Sequence, residues 1–168
     1  MIFVKKVMAN FITTLRIFCG IVAFYFIISS HYFIALITFS IGAISDWFDG
    51  SVARNNNAIT EFGKVYDPFA DKILVLTAVM GLLYKHMLNP YAATFLMIRE
   101  LTVSFLRSIA KNKDKGAILS GKIKAFFEMF SIIVILLGEV KFGNMLFDIS
   151  LIFAYISLYG YLKGWFYE

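Results

Sequence analysis

Six long apolar runs separated by short polar breaks run through this chain. The breaks fall at Ser29-Ser30-His31, at Asn55-Asn56-Asn57, at Lys85-His86 with Asn89-Pro90, along the basic stretch 111–121, and at 141–144. A helix that crosses a bilayer needs roughly 20 mostly apolar residues, which is the scale of these runs. The pattern predicts helices over about 11–29, 32–54, 91–110, 122–140 and 145–165, and one that starts between 60 and 67 and ends near 84. Pro68 is compatible with a first turn, where its missing N–H has no partner to lose. Residues 1–10 carry Lys5 and Lys6 among Ile2, Phe3, Val4, Val7 and Met8, the pattern of a short amphipathic segment on a membrane surface. No small-residue cleavage site follows the first run, so that helix is expected to be retained.

Composition sharpens this picture. Of 168 residues, 60% are hydrophobic and 16% charged, which excludes an ordinary soluble domain. The expected fold is an all-α integral membrane protein with about six transmembrane helices, forming a single domain over 1–168. The single cysteine, Cys19, lies inside the first run and excludes an intramolecular disulfide or a thiolate metal site. The formal charge of +5 comes from residues that flank apolar runs, so it points to topology and to anionic substrates or lipids, with no nucleic-acid partner. With the N-terminus inside, the inner ends hold most of the Lys and Arg while the outer connections hold Lys85 and Lys141. That bias places the connection between the second and third helices on the cytoplasmic side.

This connection carries the chemistry. Asp46 and Asp49 close one apolar run, and Asp67 and Asp71 open the next. Carboxylates beside hydrocarbon are unfavourable unless they pair with cations, face a cavity or hold an ion. On a helix, residues three or four apart point within roughly 60° or 40° of each other, so the four form two pairs, each on one face. If the helices pack side by side, four carboxylates converge, and divalent cations would relieve their repulsion. The donors are all oxygens, which favours Mg²⁺ or Mn²⁺ over zinc. Gly50 and Ala53 remove bulk beside Asp49, Arg54 offers a planar multi-donor head, Thr60 adds a hydroxyl, and Gly63 allows close packing. Together these residues describe a metal-bridged pyrophosphate site at the membrane surface.

Read as D-x-x-D-G-x-x-A-R, eight residues, then G-x-x-x-D-x-x-x-D, the stretch resembles the signature of the CDP-alcohol phosphatidyltransferase family, with every fixed position filled. The resemblance implies that Asp46, Asp49, Asp67 and Asp71 hold two divalent metals, with Asp71 also the general base. It further implies that Gly50, Ala53, Arg54 and Thr60 contact the cytidine or diphosphate of CDP-diacylglycerol. Asn10-x-x-Thr13-x-x-Arg16, Asp67-Pro68-x-Ala70-Asp71-Lys72, Arg99-Glu100 with Arg107, and Gly121-Lys122-x-Lys124 are similar to the branch that uses glycerol 3-phosphate. That likeness adds Asn10 and Thr13 to the nucleotide-contacting set, although this chain has Ala9 where the branch often has proline.

Cations decide the acceptor. Arg99 sits in an apolar run, where either Glu100 or a substrate phosphate could neutralise it. Arg107, Lys122 and Lys124 complete a cluster that suits a phosphorylated acceptor, with Gly121-Lys122 opening a helix. The expected reaction moves a phosphatidyl group from CDP-diacylglycerol to sn-glycerol 3-phosphate, releasing CMP, in a homodimer in the bacterial cell membrane. Inositol phosphate or phosphatidylglycerol is the alternative acceptor. A divalent-cation transporter would need polar residues through the membrane depth, and the acidic cluster lies at one end only.

Overall fold

The computed structural model describes residues 2–53, 61–109 and 118–166, with side chains over 13–45, 66–106, 119–160 and 162–163. The described elements are six helices and no strand: α1 (Ile2–Ile28), α2 (Tyr32–Ala53), α3 (Glu61–Tyr84), α4 (Pro90–Ile109), α5 (Ile118–Leu136) and α6 (Val140–Phe166). They form two compact units, Met1–Lys85 and His86–Glu168.

In the first unit α1 lies against both α2 and α3. Its buried face is built from small side chains, Cys19 and Ala23 with Ile27, set against Ala35 and Phe39 of α2 and Ala70, Leu74 and Ala78 of α3. Small residues let helix backbones approach closely, a packing mode favoured where lipid surrounds the helices. Gly20 marks a close approach to the α3 backbone: a Cβ there would lie 2.9 Å from Thr77 Oγ1 and 3.0 Å from the backbone Cα of Leu74. Ser30 ends α1 in the left-handed region at φ 62°, with His31 N–H donating to Phe26 O at 2.9 Å and Ser30 N–H to Ile27 O at 3.0 Å. This closes the carbonyls that a helix end leaves open.

The second unit is an α5–α6 hairpin with α4 on α6. Asn89 caps α4, its Oδ1 accepting the Tyr91 N–H at 3.0 Å, and Pro90 occupies the first helical position. Gly138, at φ 102°, terminates α5 and turns the chain into α6. At Gly143 a Cβ would collide with Ile135 Cγ1 and lie 3.1 Å from Ile135 N and Ser131 O. Phe127 and Phe153 stack across the hairpin at 5.9 Å.

Several boundaries differ from the sequence pattern. Residues 2–10 continue directly into α1, because no glycine or proline interrupts the chain before Gly20. α3 begins at Glu61, within the expected interval of 60–67, but this start places Pro68 inside the helix and beyond its first turn. α5 starts at Ile118 instead of 122, so Gly121 falls within its first turn and Lys122 just after it. The break expected at 141–144 is helical. There Asn144 donates to Met87 O and Val140 O at 2.8 Å and accepts from Asn89 N–H at 2.9 Å, so its polar groups are satisfied without a loop.

Among the described residues, Val140–Gly160 is the one helical stretch long and apolar enough to cross a membrane, with shorter apolar stretches at Thr13–Ile28 and Tyr32–Ser45. α3, α4 and α5 carry the charged residues that break up their apolar windows. All six helices nevertheless present large apolar side chains outward, among them Phe18, Ile37, Met80, Leu101, Phe126 and Ile152. Widespread outward apolar surface of this kind is foreign to a water-facing monomer.

Replacing Gly20 with leucine is expected to push α1 away from α3. Overpacking of this kind costs about 1–3 kcal/mol. The thermal midpoint of purified protein in detergent should fall, whereas an unchanged midpoint would contradict the close approach at Gly20.

Candidate active site

The polar seam between α1 and α3 is where the first unit departs from apolar packing. Thr13, Thr14 and Arg16 lie within about one turn of α1, and Tyr66, Asp67 and Asp71 lie on α3. Thr13 is 1% exposed and its Oγ1 donates to Asp67 Oδ1 at 2.7 Å. Arg16, also 1% exposed, donates from Nη1 to Asp71 Oδ1 at 2.6 Å in an ion pair. Thr14 Oγ1 and Tyr66 Oη lie 3.2 Å apart. Ala70 is fully buried between the two aspartates, so α3 meets α1 with no bulk at that level.

The seam has an inner and an outer side. Thr13 and Arg16 lie within the protein, whereas Asp67 is exposed and the Asp71 side chain is 34% exposed. Both carboxylates therefore combine a buried α1 partner with an accessible edge. One turn apart on α3, they supply hard oxygen donors of the kind that hold Mg²⁺ or Mn²⁺. Among the described side chains no three His, Cys, Asp or Glu residues come together; Asp67 and Asp71 are the described part of the expected set. Asp46 and Asp49 lie on the last turns of α2, with Gly50 and Ala53 beside them, and Gly63 lies in the first turn of α3. The side chains of Asp46 and Asp49 lie outside the described residues, as do the side chain of Asn10 on α1 and residues Arg54 and Thr60 altogether.

The cations of the second unit are placed differently from one another. Arg99 Nη1 donates to Glu100 Oε1 at 2.6 Å and its Nε to Ala154 O at 3.0 Å. The same Glu100 oxygen accepts from Lys124 Nζ at 2.9 Å, and Lys124 also pairs with Glu128 Oε2. All four side chains are buried, two cations against two carboxylates. Glu128 Oε1 has no hydrogen-bond partner among the described residues. Lys122 is exposed on α5, and Arg107 lies in the last turn of α4 with its side chain outside the described set.

The partners of Thr13, Arg16 and Lys124 are not evident from the sequence pattern, and two of these contacts follow from spacing once the helices are placed. Arg16 reaches Asp71, and the signal was the matched spacing of Thr13-x-x-Arg16 on one helix and Asp67-x-x-x-Asp71 on another, which align when the helices pack. Glu128 reaches Lys124 at i,i+4, a spacing at which opposite charges on a helix routinely meet.

Comparison with known proteins agrees with the geometry. A family model for CDP-alcohol phosphatidyltransferase matches residues 6–159, which include the whole aspartate signature. The CDP-diacylglycerol–glycerol-3-phosphate 3-phosphatidyltransferase of Rickettsia felis is 32% identical over 151 residues, covering 87% of this chain and 83% of that protein. The protein of that name from Wigglesworthia glossinidia brevipalpis is 34% identical, with coverage of 84% and 83%. Its Bacillus subtilis counterpart is 30% identical, with 77% and 68%. With the signature complete and the family match running almost from end to end, this chain belongs to the CDP-alcohol phosphatidyltransferase family.

Proposed function

We propose that this protein transfers a phosphatidyl group from CDP-diacylglycerol to sn-glycerol 3-phosphate, forming phosphatidylglycerophosphate and releasing CMP. One observation carries the reading: a complete signature in a chain two of whose relatives, from Rickettsia felis and Wigglesworthia glossinidia brevipalpis, match over more than four-fifths of both lengths and bear the name of that activity. The family match passes through both helical units, which supports treating 1–168 as a single catalytic domain.

In this reading Asp71 is the general base. Its partly exposed carboxylate takes the proton of the acceptor hydroxyl as that oxygen attacks the β-phosphorus, and the bond from that phosphorus to the CMP oxygen breaks. Two divalent cations, Mg²⁺ or Mn²⁺, would be held by Asp46, Asp49, Asp67 and Asp71 and would neutralise charge on the diphosphate. Gly50, Ala53, Arg54, Thr60 and Asn10 take the nucleotide and diphosphate, and Thr13 enters the site through Asp67, to which its hydroxyl donates. The acceptor phosphate falls to Arg99, Arg107, Lys122 and Lys124. Of these, Lys122 is exposed, while Arg99 and Lys124 already share the Glu100 carboxylate, so an acceptor phosphate would compete with that carboxylate for them.

The protein would act as a multi-pass homodimer in a bacterial cell membrane, with its aspartates facing the cytoplasm. The outward apolar side chains on every helix support the membrane setting, and the bias of basic residues supports the orientation.

CMP release by purified protein in detergent, with CDP-diacylglycerol and Mg²⁺, tests the reaction. Release should require sn-glycerol 3-phosphate and should be absent with inositol phosphate, phosphatidylglycerol or serine; release that requires another acceptor would contradict the assignment. Asp71→Asn should lower kcat by about 10²–10⁴, the usual contribution of a positioned base. Lys122→Gln should raise KM for glycerol 3-phosphate roughly tenfold, the value of one charge-assisted hydrogen bond, and leave KM for CDP-diacylglycerol unchanged.

A further inference from the structure

Arg16 heads the fully buried side chains of the described residues by volume. A guanidinium in that position is a poor means of stabilising a helix pair, because well-packed apolar residues of similar size commonly do as well or better than a buried ion pair. Its placement has a directional character instead. The cation is sealed inside at 1% exposure, and the carboxylate it holds is 34% exposed at the side chain. Thr13 repeats the arrangement one turn away, itself sealed and donating to the exposed Asp67. Each aspartate is thus gripped from behind by α1 and presented outward.

We propose that Arg16 is a positioning residue, which holds the Asp71 carboxylate in one orientation so that its exposed edge meets the acceptor hydroxyl and the metal. The inference rests on the reading of Asp71 as base and metal ligand, and adds that the aim of this group is set by α1. The contact runs from Arg16 Nη1 to Asp71 Oδ1 at 2.6 Å, and the guanidinium that makes it is planar and held by burial, whereas a lysine ammonium would sit on a flexible stem.

The test uses Arg16→Gln, Arg16→Lys and Asp71→Asn in the full-length protein, with thermal midpoints to establish folding. Partners that orient metal-binding groups typically contribute 10- to 100-fold to affinity or activity. Arg16→Gln is therefore expected to lower kcat by about 10- to 100-fold, with both KM values within about twofold, and to weaken Mn²⁺ binding about tenfold by electron paramagnetic resonance without substrates. Arg16→Lys should fall between this variant and the parent. A folded Arg16→Gln with parental kcat and Mn²⁺ affinity overturns the proposal, even if its thermal midpoint drops, because that outcome describes a merely structural ion pair. If Arg16→Gln does not fold, Arg16→Lys decides: parental kcat and Mn²⁺ affinity overturn the proposal, and a loss in both supports it. An active Asp71→Asn would instead remove the base assignment, whatever the Arg16 variants do. An inactive Asp71→Asn beside parental Arg16 variants would remove this inference alone.

Discussion

A guanidinium enclosed by helices needs a counter-charge within reach, and for Arg16 that charge is Asp71, 2.6 Å away. Much of the first unit is arranged so that this contact can form. Gly20 and the small residues Ala23, Ala70 and Ala78 bring the backbones of α1 and α3 together, and Thr13 meets Asp67 at the same level. Removing Asp71 would take a counter-charge from an enclosed guanidinium, which is unfavourable. The seam thereby gives a polar feature a defined register in an otherwise apolar helix packing.

The second unit meets the same electrostatic constraint in another way. Arg99 and Lys124 are buried with Glu100 and Glu128 as a neutral quartet that links α4 and α5, and Arg99 ties to α6 through Ala154 O. In the seam the carboxylates reach the surface, whereas in the quartet all four groups are enclosed. The first arrangement offers reactive oxygen to a ligand. The second keeps two cations available only to a group able to compete with carboxylate.

The apolar runs made six helices legible, since each run is long, strongly apolar and bounded by polar residues. Their ends were less so: Asn144 looks like a loop residue until its partners Met87, Val140 and Asn89 are known, and those depend on tertiary packing. The start of α3 at Glu61 falls in the expected interval, yet Pro68, which fitted a first turn, lies deeper in the helix, where its missing N–H is tolerated. Of the candidate site, the aspartate spacing was visible because signature residues lie close along the chain. The partner of each carboxylate was not, because Arg16 and Asp71 are 55 residues apart and only the contact of α1 with α3 joins them. Arg99 beside Glu100 left two readings open in the sequence, and the shared Glu100 oxygen now defines the resting partner.

If α1 holds the α3 carboxylates in place for divalent metal, as proposed above, the metal should be found on them. The most direct measurement is an anomalous-scattering map from crystals of the protein grown with Mn²⁺. Manganese is expected at about 2.0–2.2 Å from carboxylate oxygens of Asp67 and Asp71, the separation typical of small divalent cations with oxygen donors, with Arg16 still paired to Asp71. Manganese bound away from both aspartates, or Arg16 turned from Asp71 when the metal is present, would contradict the proposal.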